Sequence, residues 1–196
     1  MSVSSATEAA VAGIPLEQYR DKLQIDFAFD DADAMEEDSL ISVIGRRKLE
    51  GGESIIQEKS ILCAAKKLVF VLNENQFSNN LDGSVPCLIE PDNWMEIAEE
   101  IDDLFLGDAE VWRRPAIGHA GPSGGDFPLT TKEGHYILDL IFTSPIKSLG
   151  AVAENLTKID GVVEHGILSN VTLVSYFCVA AANSTLFLSD LQCEHF

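Results

Sequence analysis

The sequence predicts an α/β fold in two lobes: a truncated Rossmann-like parallel sheet lobe and a small ferredoxin-like α+β lobe. Leu23–Phe29 alternates apolar with polar or small residues and runs into an acidic turn, Asp30-Asp31-Ala32-Asp33. Gly51-Gly52, a helical stretch and the apolar run Leu68–Leu72 follow. That order describes a strand–helix–strand unit with a buried parallel sheet. Strand, helix and strand patterns then occur twice between residues 85 and 168, as in a ferredoxin-like unit. Two last apolar runs, Val171–Ala181 and Thr185–Leu188, are suited to close the first sheet. The first lobe is thus expected over 1–84 and 171–196, N-terminally incomplete, and the second over 85–170.

Taken in order, the alanine-rich stretch Ala6–Ala12 reads as a short helix ended by Gly13. Glu53–Lys66 reads as a helix, with Ile55, Ile56, Ser60, Cys63 and Ala64 along one side. Asn73–Ser84 is polar and turn-rich, a boundary. Val85–Ile89 is a strand and Asn93–Leu106 a helix, capped by Asp92 or Asn93 and stopped at Gly107. Ala109–Arg113 is a strand, Pro115–Pro128 a loop, and Tyr136–Phe142 a strand. Ser148–Lys158 is a helix and Val162–Leu168 the last strand of the small lobe.

Composition narrows the function. The 196 residues carry 32 Asp and Glu against 13 Lys and Arg, a formal charge of −19. Nucleic-acid affinity needs cations on phosphates, so a nucleic-acid partner is excluded, and an anionic membrane surface is disfavoured in the same way. With 46% hydrophobic residues the chain is far too apolar for an acidic disordered tail. No apolar run reaches the roughly 18 residues of a membrane helix, and no secretory signal is visible at Met1–Gly13. Three of the four cysteines (Cys63, Cys87, Cys178, Cys193) sit in apolar segments, which predicts reduced, buried thiols. Glu17–Asp38 and Glu90–Glu110 each hold nine acidic residues. They read as solvated faces, with an acidic protein-interaction surface at 90–110 as the alternative.

The residues able to do chemistry are few. Asp30, Asp31 and Asp33 follow a buried strand, and Glu58 lies on the next helix. Ligands of open α/β sheets bind beyond the carboxyl ends of the strands, where carboxylates orient hydroxyls, move protons or bind a metal. A metal is poorly supported, since no histidine is near and the spacing is not that of a calcium loop. A capped, solvated turn is the alternative. Gly51-Gly52 at a helix start suits an anion or is an ordinary turn. Arg46-Arg47-Lys48 meets an anionic ligand or flanks a surface turn. His119, His135, His165 and His195 are scattered, and no cysteine sits at a glycine-rich turn, so a cysteine–histidine nucleophile is unsupported.

The order of these motifs resembles type A ribose-5-phosphate isomerase, and most of all its divergent plant plastid members. The motifs are Asp30-Asp31-Ala32-Asp33-Ala34, Glu50-Gly51-Gly52, Glu58-Lys59, Leu68–Leu72 with Asn73–Gln76, Val85-Pro86, Tyr136-Ile137-Leu138-Asp139, and Glu154-Asn155-Leu156. Asp160-Gly161-Val162-Val163-Glu164-His165-Gly166 completes the series. Each is short; their shared order covers nearly the whole chain, roughly Ala6 to Asn183. The resemblance implies aldose–ketose isomerisation of ribose 5-phosphate and ribulose 5-phosphate through an enediolate, in the pentose phosphate pathway. Glu58 matches the general base. Asp30 and Asp33 match the residues that hold the sugar, with Lys48, Gly51 and Gly52 beside them. No cofactor, metal or organic, is implied. The implied partners are a sugar-phosphate substrate and either a second copy of the chain or an intact isomerase. The implied compartment is the chloroplast stroma, or the cytoplasm if Met1 is the native start.

The pattern also departs from the family's. Leu49 stands where the family has Lys, Glu50 where it has Gly, and Gln76 where it has Lys; Asp31 and Ala34 replace Gly and Glu. The opening strand and Gly-Ser/Thr phosphate loop, expected ahead of Ala6, are not visible. Losing donors to a developing oxyanion costs about 10²–10³ in turnover each. The sequence therefore predicts a family member with weakened or absent catalysis. The alternative is a non-catalytic relative that binds a sugar phosphate or serves as a partner subunit.

Overall fold

The computed structural model describes residues 25–46, 54–79, 81–117 and 127–169, with the backbone of two further strands, Ser175–Ala180 and Leu186–Asp190. The helix expected at Ala6–Ala12 lies outside the described residues, as do Lys48, Gly51, Gly52 and Cys193.

The first sheet is built on β1 (Ile25–Asp30) and β4 (Ala65–Leu72). They run parallel, with Ile25 opposite Ala65 and Asp30 opposite Phe70. β10 (Ser175–Ala180) continues the sheet in parallel from β4, and β11 (Leu186–Asp190) closes it antiparallel. The late apolar runs thus join the first sheet, as their composition implies. Ala28, Leu68, Phe70 and Leu72 are buried together with Ile55 and Leu62 of α1 (Ile55–Ala64). Ser54 caps α1, its hydroxyl accepting from the Gln57 N–H at 3.1 Å.

Two details of this unit differ from the sequence reading. The helix stops at Ala64 and β4 begins at once, because Ala65 and Lys67 pair with Ile25 and Phe27, and Lys66 reaches Asp26 at 2.8 Å. The buried side of α1 is that of Ile55 and Leu62, while Cys63 and Ala64 are exposed. Apolar residues surround this helix, so periodicity selects no face. Of the cysteines, Cys87 is buried and burial raises its thiol pKa, whereas Cys63 is exposed.

The second sheet contains β5 (Gly83–Ile89), β6 (Ala109–Arg113), β7 (Tyr136–Phe142) and β8 (Val162–His165). Their order is β6-β7-β5-β8, with every neighbour antiparallel. With α2 (Trp94–Leu104) after β5 and α3 (Leu149–Leu156) after β7, this is the ferredoxin-like arrangement. Asn93 precedes α2 in a left-handed conformation, φ +57°, without a side-chain cap bond.

A third, small sheet joins the two. It consists of β2 (Ala34–Met35), β3 (Ser42–Val43) and β9 (Ile167–Leu168), paired antiparallel. The single strand expected over Val162–Leu168 therefore breaks at Gly166. There the N–H donates to Pro86 O and the carbonyl accepts from Ile44 N–H, both at 2.8 Å. A Cβ at Gly166 would collide with the Ile44 carbonyl.

Candidate active site

The acidic turn leaves the carboxyl end of β1, and each of its residues is held differently. Ala32 is fully buried, and its carbonyl accepts from Gln76 Nε2 at 2.7 Å. Asp33 donates its N–H to Val43 O at 2.8 Å, and its Oδ2 accepts the Arg46 N–H at 2.8 Å. Asp30 Oδ1 accepts the N–H of Asp31 at 2.9 Å. The turn is therefore a fixed structure that presents carboxylates above the sheet.

Helix α1 brings Glu58 to the same place from its first turn. The carboxyls of Glu58 and Asp30 share a hydrogen bond. Burial pushes Glu58 up to about 8, and the charges of Asp30, Asp33 and Asp31 add to that. Burial likewise raises Asp30. Two carboxyls in this position cannot both ionise cheaply, so the pair holds one proton near neutrality. A carboxylic acid poised near pH 8 beside carboxylates is suited to exchanging protons with a substrate.

The residues flanking Glu58 point elsewhere. Gln57 Oε1 accepts from Lys132 Nζ at 2.7 Å. Lys59 Nζ donates to Glu164 Oε1 at 2.6 Å and to the His165 carbonyl at 3.0 Å. Burial, then the Lys59 charge, lowers His165 to about 4. Lys59 and His165 line a cleft of about 500 Å³ with Cys63, Thr157 and Glu164.

The fold thus brings together Asp30, Asp33 and Glu58 out of the residues singled out in the sequence. Lys48, Gly51 and Gly52 lie outside the described residues. Arg46, half-buried, commits its guanidinium to backbone carbonyls: its Nε donates to Ser84 O at 2.5 Å and its Nη2 to Asp82 O at 2.7 Å. Gly45 and Arg114 were not singled out in the sequence, and Asp139 only as the end of the Tyr136-Ile137-Leu138-Asp139 motif, with no role. Arg114 Nε and Nη2 donate to Asp139 Oδ2 and Oδ1 at 2.8 and 2.5 Å, and Nη1 donates to Gly45 O at 2.9 Å. The available signal was a lone Asp139 inside the apolar strand Tyr136–Phe142, since a buried charge requires a partner.

Among the described residues no group of three or more His, Cys, Asp or Glu side chains is arranged to hold a metal ion. No helix among them is long and apolar enough to cross a membrane.

Comparison with known proteins agrees with this architecture. A probable ribose-5-phosphate isomerase 2 of Arabidopsis thaliana is 31% identical over 169 residues, covering 85% of this chain and 59% of that protein. A ribose-5-phosphate isomerase A of Methanosarcina acetivorans is 32% identical over 171 residues, 87% of this chain and 66% of that protein. The chain thus spans less than two thirds of the length of these relatives. The solved ribose 5-phosphate isomerase of Plasmodium falciparum superposes with a TM-score of 0.74 at 25% identity, over 97% of this chain and 76% of that one. Residues 1–183 match the family model of ribose 5-phosphate isomerase A (phosphoriboisomerase A), and the chain belongs to that family.

Proposed function

We propose that the chain interconverts ribose 5-phosphate and ribulose 5-phosphate, with Glu58 as the proton-transferring base. The observation that carries the reading is the Glu58–Asp30 carboxyl pair at the end of β1, in a chain of this family. Ionised Glu58 takes the C2 proton of the open-chain aldose. The C–H electron pair forms the C1–C2 double bond of an enediolate, and the former carbonyl oxygen takes up charge. The C2 hydroxyl proton passes to O1, the C2=O bond forms from O2, and return of the first proton to C1 with the C1–C2 double-bond electrons gives the ketose. Asp30 and Asp33 hold the sugar hydroxyls and exchange their protons, and Lys48, Gly51 and Gly52 supply contacts to the anion. The step invokes neither a metal nor an organic cofactor.

On the same reading, residues 1–84 and 171–196 form the Rossmann-like lobe and 85–170 the ferredoxin-like lobe. The reaction belongs to the pentose phosphate pathway, and the Arabidopsis relative is compatible with a chloroplast stromal setting.

A coupled assay on the purified chain tests the function. Because Glu58 must lose its proton to act, kcat/KM is expected to fall about tenfold per pH unit below about 8. Glu58→Gln is expected to lower it by about 10²–10⁴. Equal turnover of the two proteins would sink the assignment. A second reading, a non-catalytic relative, is favoured by the same raised pKa, since Glu58 carries its proton at neutral pH. That reading expects no turnover even at pH 9 and co-purification with an intact isomerase.

A further inference from the structure

Arg114 does more than neutralise a buried charge. It follows β6 and is 7% exposed, and two of its nitrogens form the bidentate pair with Asp139 on β7. That pair already satisfies the charge of both partners. The remaining nitrogen, Nη1, reaches 2.9 Å to the Gly45 carbonyl, across 69 positions of sequence. The Gly45 carbonyl and the Arg46 N–H belong to one peptide group, and that N–H donates to Asp33 Oδ2 at 2.8 Å. One peptide unit therefore stands between the guanidinium and the acidic turn. A cation on its oxygen polarises the unit and strengthens the donor at its other end.

The same unit meets the helix that carries Glu58. Gly45 has φ +82°, in the left-handed region, and a Cβ there would run into the Ile55 side chain. Ile55 is fully buried and opens α1, one turn ahead of Glu58.

We propose that Arg114, held by Asp139, is a positioning residue for the carboxylate site. By gripping the Gly45–Arg46 peptide it fixes Asp33 on one side and the start of the Glu58 helix on the other. The inference rests on the reading of Asp30, Asp33 and Glu58 as the reaction site.

The double variant R114M/D139L tests it, because replacing a buried ion pair by apolar side chains of similar volume is often neutral for folding. Arg114→Lys, which keeps a cation for Asp139 but loses the fork, is the second variant. The Arg46 amide is expected to exchange at least tenfold faster with solvent, while the Leu138 and Leu140 amides of β7 stay as protected as in the unaltered protein. Carboxyl-carbon NMR should show the upper titration of the Glu58–Asp30 pair moving down from about 8, as Asp33 and water gain freedom beside it. Where turnover is present, kcat should fall about tenfold with KM changing less than threefold.

Unchanged protection of Arg46 together with an unchanged titration would overturn the proposal. So would loss of protection spread equally over β7, or failure of both variants to fold, since the pair would then be purely structural. If the unaltered protein shows no turnover, only the function assignment falls, because exchange and titration need no substrate.

Discussion

At Glu58, burial and three neighbouring aspartates push in the same direction, and the consequence extends to stability. In the unfolded chain a glutamate titrates near 4.5; in the folded protein Glu58 titrates at about 8. Between those values the native state keeps a proton that the unfolded state has released, so stability falls as pH rises through the window. Glu58→Gln removes this dependence. At pH 9 the variant is expected to be more stable than the parent by about 1–3 kcal/mol, and at pH 4 nearly equal to it. Urea unfolding at the two pH values checks this; parent and variant of equal stability at pH 9 would refute it. The acids of this site were legible in the sequence, because a strand that ends in Asp30 and a helix whose first turn holds Glu58 are local patterns. The proton they share was not.

At the scale of elements, α1 gives three consecutive side chains to three different partners: Gln57 to Lys132, Glu58 to Asp30, and Lys59 to Glu164. Lys59 ties the helix to β8, and its ammonium, after burial, is what keeps the His165 imidazole down near 4. Lys59→Met removes that cation and leaves Glu164, whose charge favours the imidazolium. Proton NMR of His165 is therefore expected to show its pKa rising above about 4, with Thr157 Oγ1 still 3.4 Å from Nε2. An unchanged imidazole titration would show that burial alone sets it. Here the sequence was a poorer guide. Helix α1 has apolar residues on all sides, so its register comes from the Ser54 cap and from Gly45 against Ile55. The break at Gly166 is equally invisible locally, because the reason for it is a carbonyl of Ile44.

Across the whole molecule, β5 and β7 serve two cores at once. Val85, Cys87, Ile89, Leu138 and Leu140 face α2 and α3, while Leu88 and Ile137 face the first sheet and pack with Leu68, Phe70 and Leu72. Alternating side chains of a doubly buried strand pair thus join what the sequence reads as separate lobes. Leu88→Ala is expected to cost about 2–5 kcal/mol and to lower the thermal transitions of both sheets together. Amide exchange that loosens the first sheet alone would count against this coupling.

The sequence by itself determined the order of the longer elements, the parallel pairing in the first sheet, the ferredoxin-like second, and the acids at the carboxyl end of β1, but not the small sheet of β2, β3 and β9. Those follow from periodicity and turn chemistry, which act over a few residues. Only the tertiary structure decided that Glu58 keeps its proton to about pH 8, that Arg46 spends its guanidinium on Ser84 and Asp82, and that Arg114 reaches Gly45. Each depends on burial and on charges brought together through space from distant parts of the chain, and Coulomb and desolvation energies are set by distance in the folded molecule, not by separation along the sequence.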